Sequence, residues 1–193
     1  TEVYTGLSGP DGTADWIEIT NFGNTNVNLS GLFYDDSSLD ITEGGDLSSF
    51  DLGAGNSVVV LVSVAPAEAA DEIFLFNLLW GSGIDVIATD GGGLSQNSDT
   101  AALLDGLGNV IDSVVYDDSF AGGLSTIEVN NGVQRASVLG ENNAFASGAF
   151  VNEDFAGPGG EIQLIGSPGQ IPTPGAFALV GLGGLAVARR RRA

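Results

Sequence analysis

The most restrictive feature of this chain is a series of short apolar runs, each bounded by residues that favour turns. Between residues 1 and 169 these runs are rich in β-branched and aromatic residues, and Gly, Asn, Asp and Ser separate them. Such runs are typical of β-strands, because branched side chains pack well on a pleated surface. The predicted strands are Asp15–Thr20, Gly31–Asp35, Ser57–Ser63, Asp85–Thr89, Thr100–Asp105, Asn109–Asp117 and Leu124–Val129. The pattern therefore predicts an all-β fold.

One segment departs from the pattern and predicts a short helix. Pro66 suits a first helical turn, the acidic residues Glu68, Asp71 and Glu72 follow it near the positive end of the helix dipole, and Gly81 ends the segment. Its apolar residues recur at helical spacing: Ile73, Phe76, Leu79 and Trp80. We expect this helix to lie over the edge of a sheet.

Two turn sequences predict β-hairpins. Gly106-Leu107-Gly108 separates two predicted strands, and Asn131-Gly132 separates the run at Leu124–Val129 from the apolar run that follows it. Seven or more short strands with one helical crossover are typical of a β-sandwich. Residues 141–161 show no pattern that assigns them to an element.

The charge and composition exclude several classes of function. All 25 acidic residues lie at or before Glu161, and Arg135 is the only basic residue in that part of the chain. A surface of this sign repels phosphate backbones, so we expect no nucleic-acid partner. The chain has no Lys, His, Cys or Met, which excludes a thiol nucleophile, an imidazole base, a Schiff base and a zinc site. We therefore expect a protein that is not an enzyme.

Three segments in this order resemble the lamin tail domain, an immunoglobulin-like β-sandwich. They are "ADWIEITNFGNTNVNLSGLFYDD" from Ala14, "FDLGAGNSVVVLV" from Phe50 and "GGLSQNSDTAALLDGLGNVIDSVVYDD" from Gly92, and the closing "GSPG" at 166–169 also resembles the usual end of the family. The resemblance implies that residues 1–169 form one such sandwich. It also implies a role in binding or attachment, because the family has no shared catalytic residues.

The last 24 residues have a different composition. A Pro- and Gly-rich segment, 170–175, is followed by 13 uncharged residues, Ala176–Ala188, and then by Arg189, Arg190, Arg191 and Arg192. A helix over the uncharged run extends about 20 Å, shorter than the roughly 30 Å hydrocarbon core, although residues from Ile171 could lengthen it. The arginines are expected on the cytoplasmic side of a membrane, with the acidic body outside.

This tail resembles the PEP-CTERM sorting signal. The motif positions are Pro172, Thr173, Pro174 and Gly175, with Thr173 where the usual motif has Glu. The resemblance implies a bacterial protein with an export signal ahead of residue 1, recognised by an exosortase at the inner membrane. It implies transfer to the cell surface or extracellular matrix, where the partner would be a polymer or protein.

Two pairs of acidic residues are candidate calcium ligands. Asp35 and Asp36 follow one predicted strand, and Asp117 and Asp118 follow another. Calcium prefers oxygen ligands, but a solvated acidic loop is the alternative explanation, and no EF-hand loop sequence is present. The principal hypothesis is a structural or adhesive surface protein without a cofactor. The alternatives are a calcium-dependent or carbohydrate-binding module and a hydrolase that uses carboxylates.

Overall fold

The computed structural model describes residues 1–6, 14–117, 126–130, 133–136, 150–157 and 160–169. Within these ranges the chain forms one α-helix and fourteen strands, most of them short. The strands are β1 Glu2–Tyr4, β2 Trp16–Thr20, β3 Val27–Asn28, β4 Leu32–Asp35, β5 Gly45–Asp46, β6 Asp51–Leu52, β7 Ser57–Leu61, β8 Val86–Ala88, β9 Asp99–Asp105, β10 Val110–Tyr116, β11 Ile127–Asn130, β12 Val133–Ala136, β13 Phe150–Gly157 and β14 Gly160–Gly166; the helix α1 is Ala69–Trp80.

Two sheets form the body. The larger has six strands in the order β12-β11-β1-β2-β7-β8, and the smaller has four in the order β10-β9-β4-β5. All pairings are antiparallel except β7 with β8, which α1 connects as a parallel pair. The strands β13 and β14 form a separate hairpin, and β3 pairs with β6. The mostly-β architecture with one short helix is consistent with an immunoglobulin-like sandwich.

The main hydrophobic core lies between the two sheets. Val3, Ile17 and Val60 enter it from the six-stranded sheet, and Tyr34 and Ala101 enter it from the four-stranded sheet. The residues that alternate with these along each strand point away from this core, because successive residues of a strand lie on opposite faces of the sheet. Strand β7 is buried on both faces, which explains its uninterrupted apolar sequence SVVVL.

Helix α1 covers the outer face of the six-stranded sheet. Phe76, Leu79 and Trp80 of the helix form a second core with Tyr4 and Trp16 of the sheet. The Trp16 ring meets Phe76 and Trp80 edge-on, with ring centres 5.8 and 5.5 Å apart. Both tryptophans are thus packed inside the protein and form no exposed platform for a ligand.

Several elements differ from the sequence-based prediction. The helix begins at Ala69 rather than Pro66, because residues 65–68 form a turn in which the Glu68 amide donates to the Ala65 carbonyl. Hairpin β9–β10 and the pairing of β11 with β12 match the prediction. The strand β1 and the hairpin β13–β14 were not predicted. No helix within the described ranges is both long and apolar enough to cross a membrane.

Candidate functional site

The first pair of acidic residues, Asp35 and Asp36, begins the loop that leaves β4. Asp35 is buried, and its Oδ2 accepts hydrogen bonds from the Ser38 hydroxyl at 2.7 Å and the Asp40 amide at 2.6 Å. Asp36 Oδ1 accepts the Ser38 amide at 2.9 Å. These carboxylates hold the loop against the four-stranded sheet.

The structure does not bring Asp117, the described member of the second pair, close to Asp35. Asp35 pairs with Ala102, whose other neighbour is Ser113, and Asp117 lies four residues beyond Ser113 along the strand direction. Four residues of strand extend about 13 Å, so the two positions cannot share one ion. Asp118 lies outside the described residues.

No group of three or more His, Cys, Asp or Glu side chains in the described part of the chain is placed to hold a metal ion. Calcium binding at the acidic pairs therefore stays a prediction from the sequence.

Two buried carboxylates that the sequence analysis did not single out connect the sheet to the end of the body. Glu2 and Glu18 are paired across β1 and β2, and they are only 2% and 4% exposed. Their side chains share the outer face of the sheet with Tyr4 and Trp16, since all four alternate on the same side of their strands. We call Glu2 and Glu18 the buried glutamate pair.

Each carboxylate of the buried glutamate pair accepts a backbone amide from the segment 166–169. Glu2 Oε1 accepts the Ser167 amide at 2.8 Å and the Thr126 hydroxyl. Glu18 Oε2 accepts the Gly169 amide at 2.5 Å and the Ser57 hydroxyl at 3.2 Å. These donors offset the cost of removing two like charges from water. The segment 166–169 is thereby held across the sheet.

The "GSPG" sequence fits this position residue by residue. A Cβ atom on Gly166 would lie 2.7 Å from Thr126 Cγ2 and 2.9 Å from Trp80 Cζ3, so no side chain fits there. Ser167 and Pro168 are buried, and Gly169 has a φ of 77°, a left-handed conformation that favours glycine. The residues of this segment are thus explained by packing and by backbone conformation.

A polar network fixes the loop 94–99 at one end of the sandwich. The Tyr116 hydroxyl donates to the Ser95 carbonyl at 2.7 Å, and Asp99 Oδ2 accepts the Ser95 amide at 2.7 Å. Asp15 Oδ2 accepts the Leu94 amide at 3.2 Å. Burial raises the pKa of Tyr34 and of Tyr116 above the ordinary value for tyrosine, and the nearby carboxylate of Asp99 raises both further.

A cavity of about 420 Å³ lies between the two sheets. Its walls are mainly the inward-facing side chains of both layers: Val3, Ile17, Ile19, Ala101, Leu103, Val114 and Val129. Phe22, Asp112 and Ser113 also line it and are exposed, so they mark where it opens to solvent. We call this space the interlayer cavity. Strand periodicity places the apolar residues of each strand on one face.

The predicted sorting residues, Pro172, Thr173, Pro174, Gly175 and Arg189–Arg192, lie outside the described residues. The structure does locate the point that precedes them, because Gly169 is held by Glu18.

Comparison with known proteins gives one family. The family model described as Lamin Tail Domain matches residues 1–118, which is more than half of the chain. A search of curated proteins finds no match. The matched range contains β1 to β10 and α1, and it ends directly after Asp117.

Proposed function

Because this chain belongs to the lamin tail domain family, a family that suggests a structural or binding domain, we propose that its body is an adhesive or structural module displayed on a bacterial surface or in an extracellular matrix. The support for this role from the body is its family and its two-sheet architecture with a buried core. Its partner would be a surface polymer or protein. The excess of acidic residues favours partners that are neutral or basic.

Delivery to the surface would use the C-terminal tail. The observation that carries this proposal is the sequence order after Gly169: the Pro172–Gly175 motif, then 13 uncharged residues, then four arginines. Gly169 is held against the sheet by Glu18, and the motif begins three residues later. An exosortase would therefore find its motif next to a folded body.

Each part of the tail has a distinct physical role in this proposal. The apolar run 176–188 would enter the membrane, and Arg189–Arg192 would stay at the cytoplasmic face, where positive charge is retained. Cleavage near Pro172 would release the body and remove four of the five basic residues of the chain. The released protein would be more acidic than the full chain.

Catalysis by carboxylates has no support in the geometry of the predicted acidic pairs. Asp35 is committed to two hydrogen bonds within its own loop, and the strand register separates it from Asp117. We propose that the protein is not an enzyme and needs no cofactor.

The experiment expresses the full chain, behind an export signal, in bacterial hosts with and without an exosortase. We expect the exosortase host to display or release a chain that ends near Pro172, as measured by mass spectrometry of each cell fraction. The host without the enzyme should keep the full tail in its membrane fraction.

A double substitution, Pro172→Ala with Pro174→Ala, should keep the tail attached in both hosts. Pro66→Ala, at an exposed proline outside the motif, is the matched control and should be processed normally. Recovery of the intact tail from the cytoplasm of the exosortase host would refute the sorting proposal.

A further inference from the structure

Helix α1 is apolar on the side that faces solvent as well as on the side that packs on the sheet. Phe74 and Leu78, one turn apart, are each 67% exposed, whereas Phe76 and Trp80 are buried. A helix that is apolar all round is usually buried on all sides. Exposed apolar side chains on adjacent turns of such a helix are therefore typical of a contact surface.

The charges of α1 are confined to its beginning. Asp71 and Glu72 lie in its first turn, and Glu68 precedes it. Residues 73–84 include no charged residue, so the second half of the helix and the turn after it are uncharged. This half suits an apolar, uncharged partner, whereas the acidic beginning repels an anionic one.

The C-terminal tail leaves the body beside the uncharged end of α1. A Cβ atom on Gly166 would lie 2.9 Å from the ring of Trp80, the last residue of the helix, and one on Gly169 would lie 3.1 Å from Ile84 Cγ1. The buried glutamate pair holds the segment 166–169 on the outer face of the six-stranded sheet. This is the face that α1 covers, so the exit of the tail and the exposed side of α1 are on the same side of the body.

The length of chain after Gly169 sets how far this face can be from a membrane. The apolar run begins at Ala176, seven residues further on, and seven residues span at most about 25 Å. A folded body of about 170 residues is on the order of 40 Å across. With the apolar run in the membrane, the face that bears Gly169 and α1 is therefore the one turned toward the lipid.

We propose that the exposed side of α1, at Phe74 and Leu78, docks on the uncharged surface of a lipid bilayer while the tail is inserted. This inference rests on the membrane role proposed above for the tail. Two apolar side chains bind a bilayer weakly by themselves, but the tail makes the contact intramolecular and so raises the effective lipid concentration. Cleavage near Pro172 removes the tail, and the body then leaves the membrane.

The test uses the full chain in phosphatidylcholine vesicles and a single fluorescent label. The chain has no Cys, so Ser82→Cys gives one labelling site, at an exposed position just after α1. The matched control is Ser37→Cys, which is exposed in the loop after β4 of the other sheet. Flotation with the vesicles reports insertion of the tail. We expect nitroxide-bearing lipids to quench the Ser82 label at least about threefold more strongly than the Ser37 label.

Phe74→Gln with Leu78→Gln should reduce quenching of the Ser82 label to the level of the Ser37 label. Glutamine retains a high helix propensity, and flotation should not change, because the tail is intact. Ile111→Thr with Val115→Thr removes two exposed apolar side chains from the edge strand β10 and is the matched control. It should leave quenching of the Ser82 label unchanged.

Flotation with equal quenching of the two labels would overturn this inference and leave the insertion of the tail standing. Failure of the chain to float would overturn both. Shielding of the Ser82 label from aqueous iodide without quenching by the lipid would also overturn the inference, because a second copy of the chain would then cover α1.

Discussion

Near the C-terminal end of the body, Gly166 lies where there is no room for a side chain. Three groups from distant parts of the chain surround it: Thr126, the Trp80 ring and the Glu2 carboxylate. None of these neighbours is the far end of a free side chain, because each is buried. The glycine is therefore required by packing rather than by its φ angle.

We expect Gly166→Ala to lower the free energy of unfolding by about 1 to 3 kcal/mol, the usual cost of overfilling a packed site. Chemical denaturation followed by tryptophan fluorescence measures it, since Trp80 contacts the site. Gly106→Ala is the control, because its nearest contact would be an ordinary 3.5 Å from the Gly31 carbonyl. Equal stability of the two variants would contradict this account of the segment.

Tyr34 and Tyr116 provide a comparison between two buried phenols. Tyr116 donates a hydrogen bond to Ser95, whereas the Tyr34 hydroxyl has no hydrogen-bond partner within the described residues. The pKa of each is raised by burial, so the folded chain retains the proton at a pH where the unfolded chain releases it. Stability from this source is present below about pH 10 and is lost as the pH rises above it.

We therefore expect the melting temperature to fall above pH 10 and Tyr34→Phe to reduce that fall. At pH 7 the same variant should change the free energy of unfolding by less than about 1 kcal/mol, because no hydrogen bond is removed. Tyr116→Phe should cost about 0.5 to 1.5 kcal/mol at pH 7. Thermal unfolding from pH 7 to pH 12 measures both effects. If the melting temperature of Tyr34→Phe fell as steeply above pH 10 as that of the wild type, Tyr34 would not be a source of the alkaline loss of stability.

In helix α1, residues only two positions apart differ greatly in burial. Phe76 is fully buried against Trp16, whereas Phe74, two residues earlier, is 67% exposed. The apolar spacing of the sequence marks the buried face correctly, because three of the four positions that it identified, Phe76, Leu79 and Trp80, are buried. Phe74 and Leu78 fall outside that spacing and are exposed.

We expect Phe76→Ala to lower the free energy of unfolding by about 3 to 5 kcal/mol, since it removes a ring from a closed aromatic cluster. Phe74→Ala, the same substitution on the same helix, should change it by less than about 0.5 kcal/mol. Urea denaturation of the two variants gives both values. Comparable losses would show that Phe74 is covered in the folded chain.

The alternating sequence of the edge strand β10 predicts one better-buried face, and the structure has one. Val114 and Tyr116 face the core, whereas Ile111 and Val115 on the other face are 53% and 66% exposed. A register shift, which alternation does not predict, occurs between Val110 and Asp112. The strand lies at the edge of its sheet, so its side chains have neighbours on one flank only within the described sheet. The hairpin itself was predictable, because Asp105 accepts the amides of Leu107 and Asn109 in a local turn.

At the scale of the whole molecule, the body continues past the range that the family model matches. Strand β11 lies beside β1 in the six-stranded sheet, and Thr126 and the segment 166–169 satisfy the buried glutamate pair. Strand β11, Thr126 and the segment 166–169 all follow residue 118, where the match to the family model ends. The body is therefore closed by residues up to Gly169.

We expect a chain of residues 1–169 to unfold at a temperature within about 2 °C of the full chain, because among the described residues Gly169 is the last that donates a hydrogen bond to the sheet. A chain of residues 1–165 should be less stable by about 2 kcal/mol or more, since two buried carboxylates lose charged hydrogen bonds. Differential scanning calorimetry of the three chains measures this. Equal melting of the 165- and 169-residue chains would refute the role of the buried glutamate pair.

The sequence alone determined the features that depend on near neighbours or on composition. Alternating and uninterrupted apolar runs indicated strands, local turn chemistry indicated the β9–β10 hairpin, and the absence of His, Cys and Lys excluded whole classes of chemistry. Three segments in the same order also resembled the lamin tail domain family, whose model matches residues 1–118.

Only the tertiary structure decided which distant residues meet. Glu2 and Ser167 are 165 residues apart, so no local pattern could pair them. Asp35 and Asp117, which have similar positions at the ends of predicted strands, are separated by the strand register. Burial and the spacing of layers arise from packing of the whole chain, which is why they could not be predicted from any segment of it.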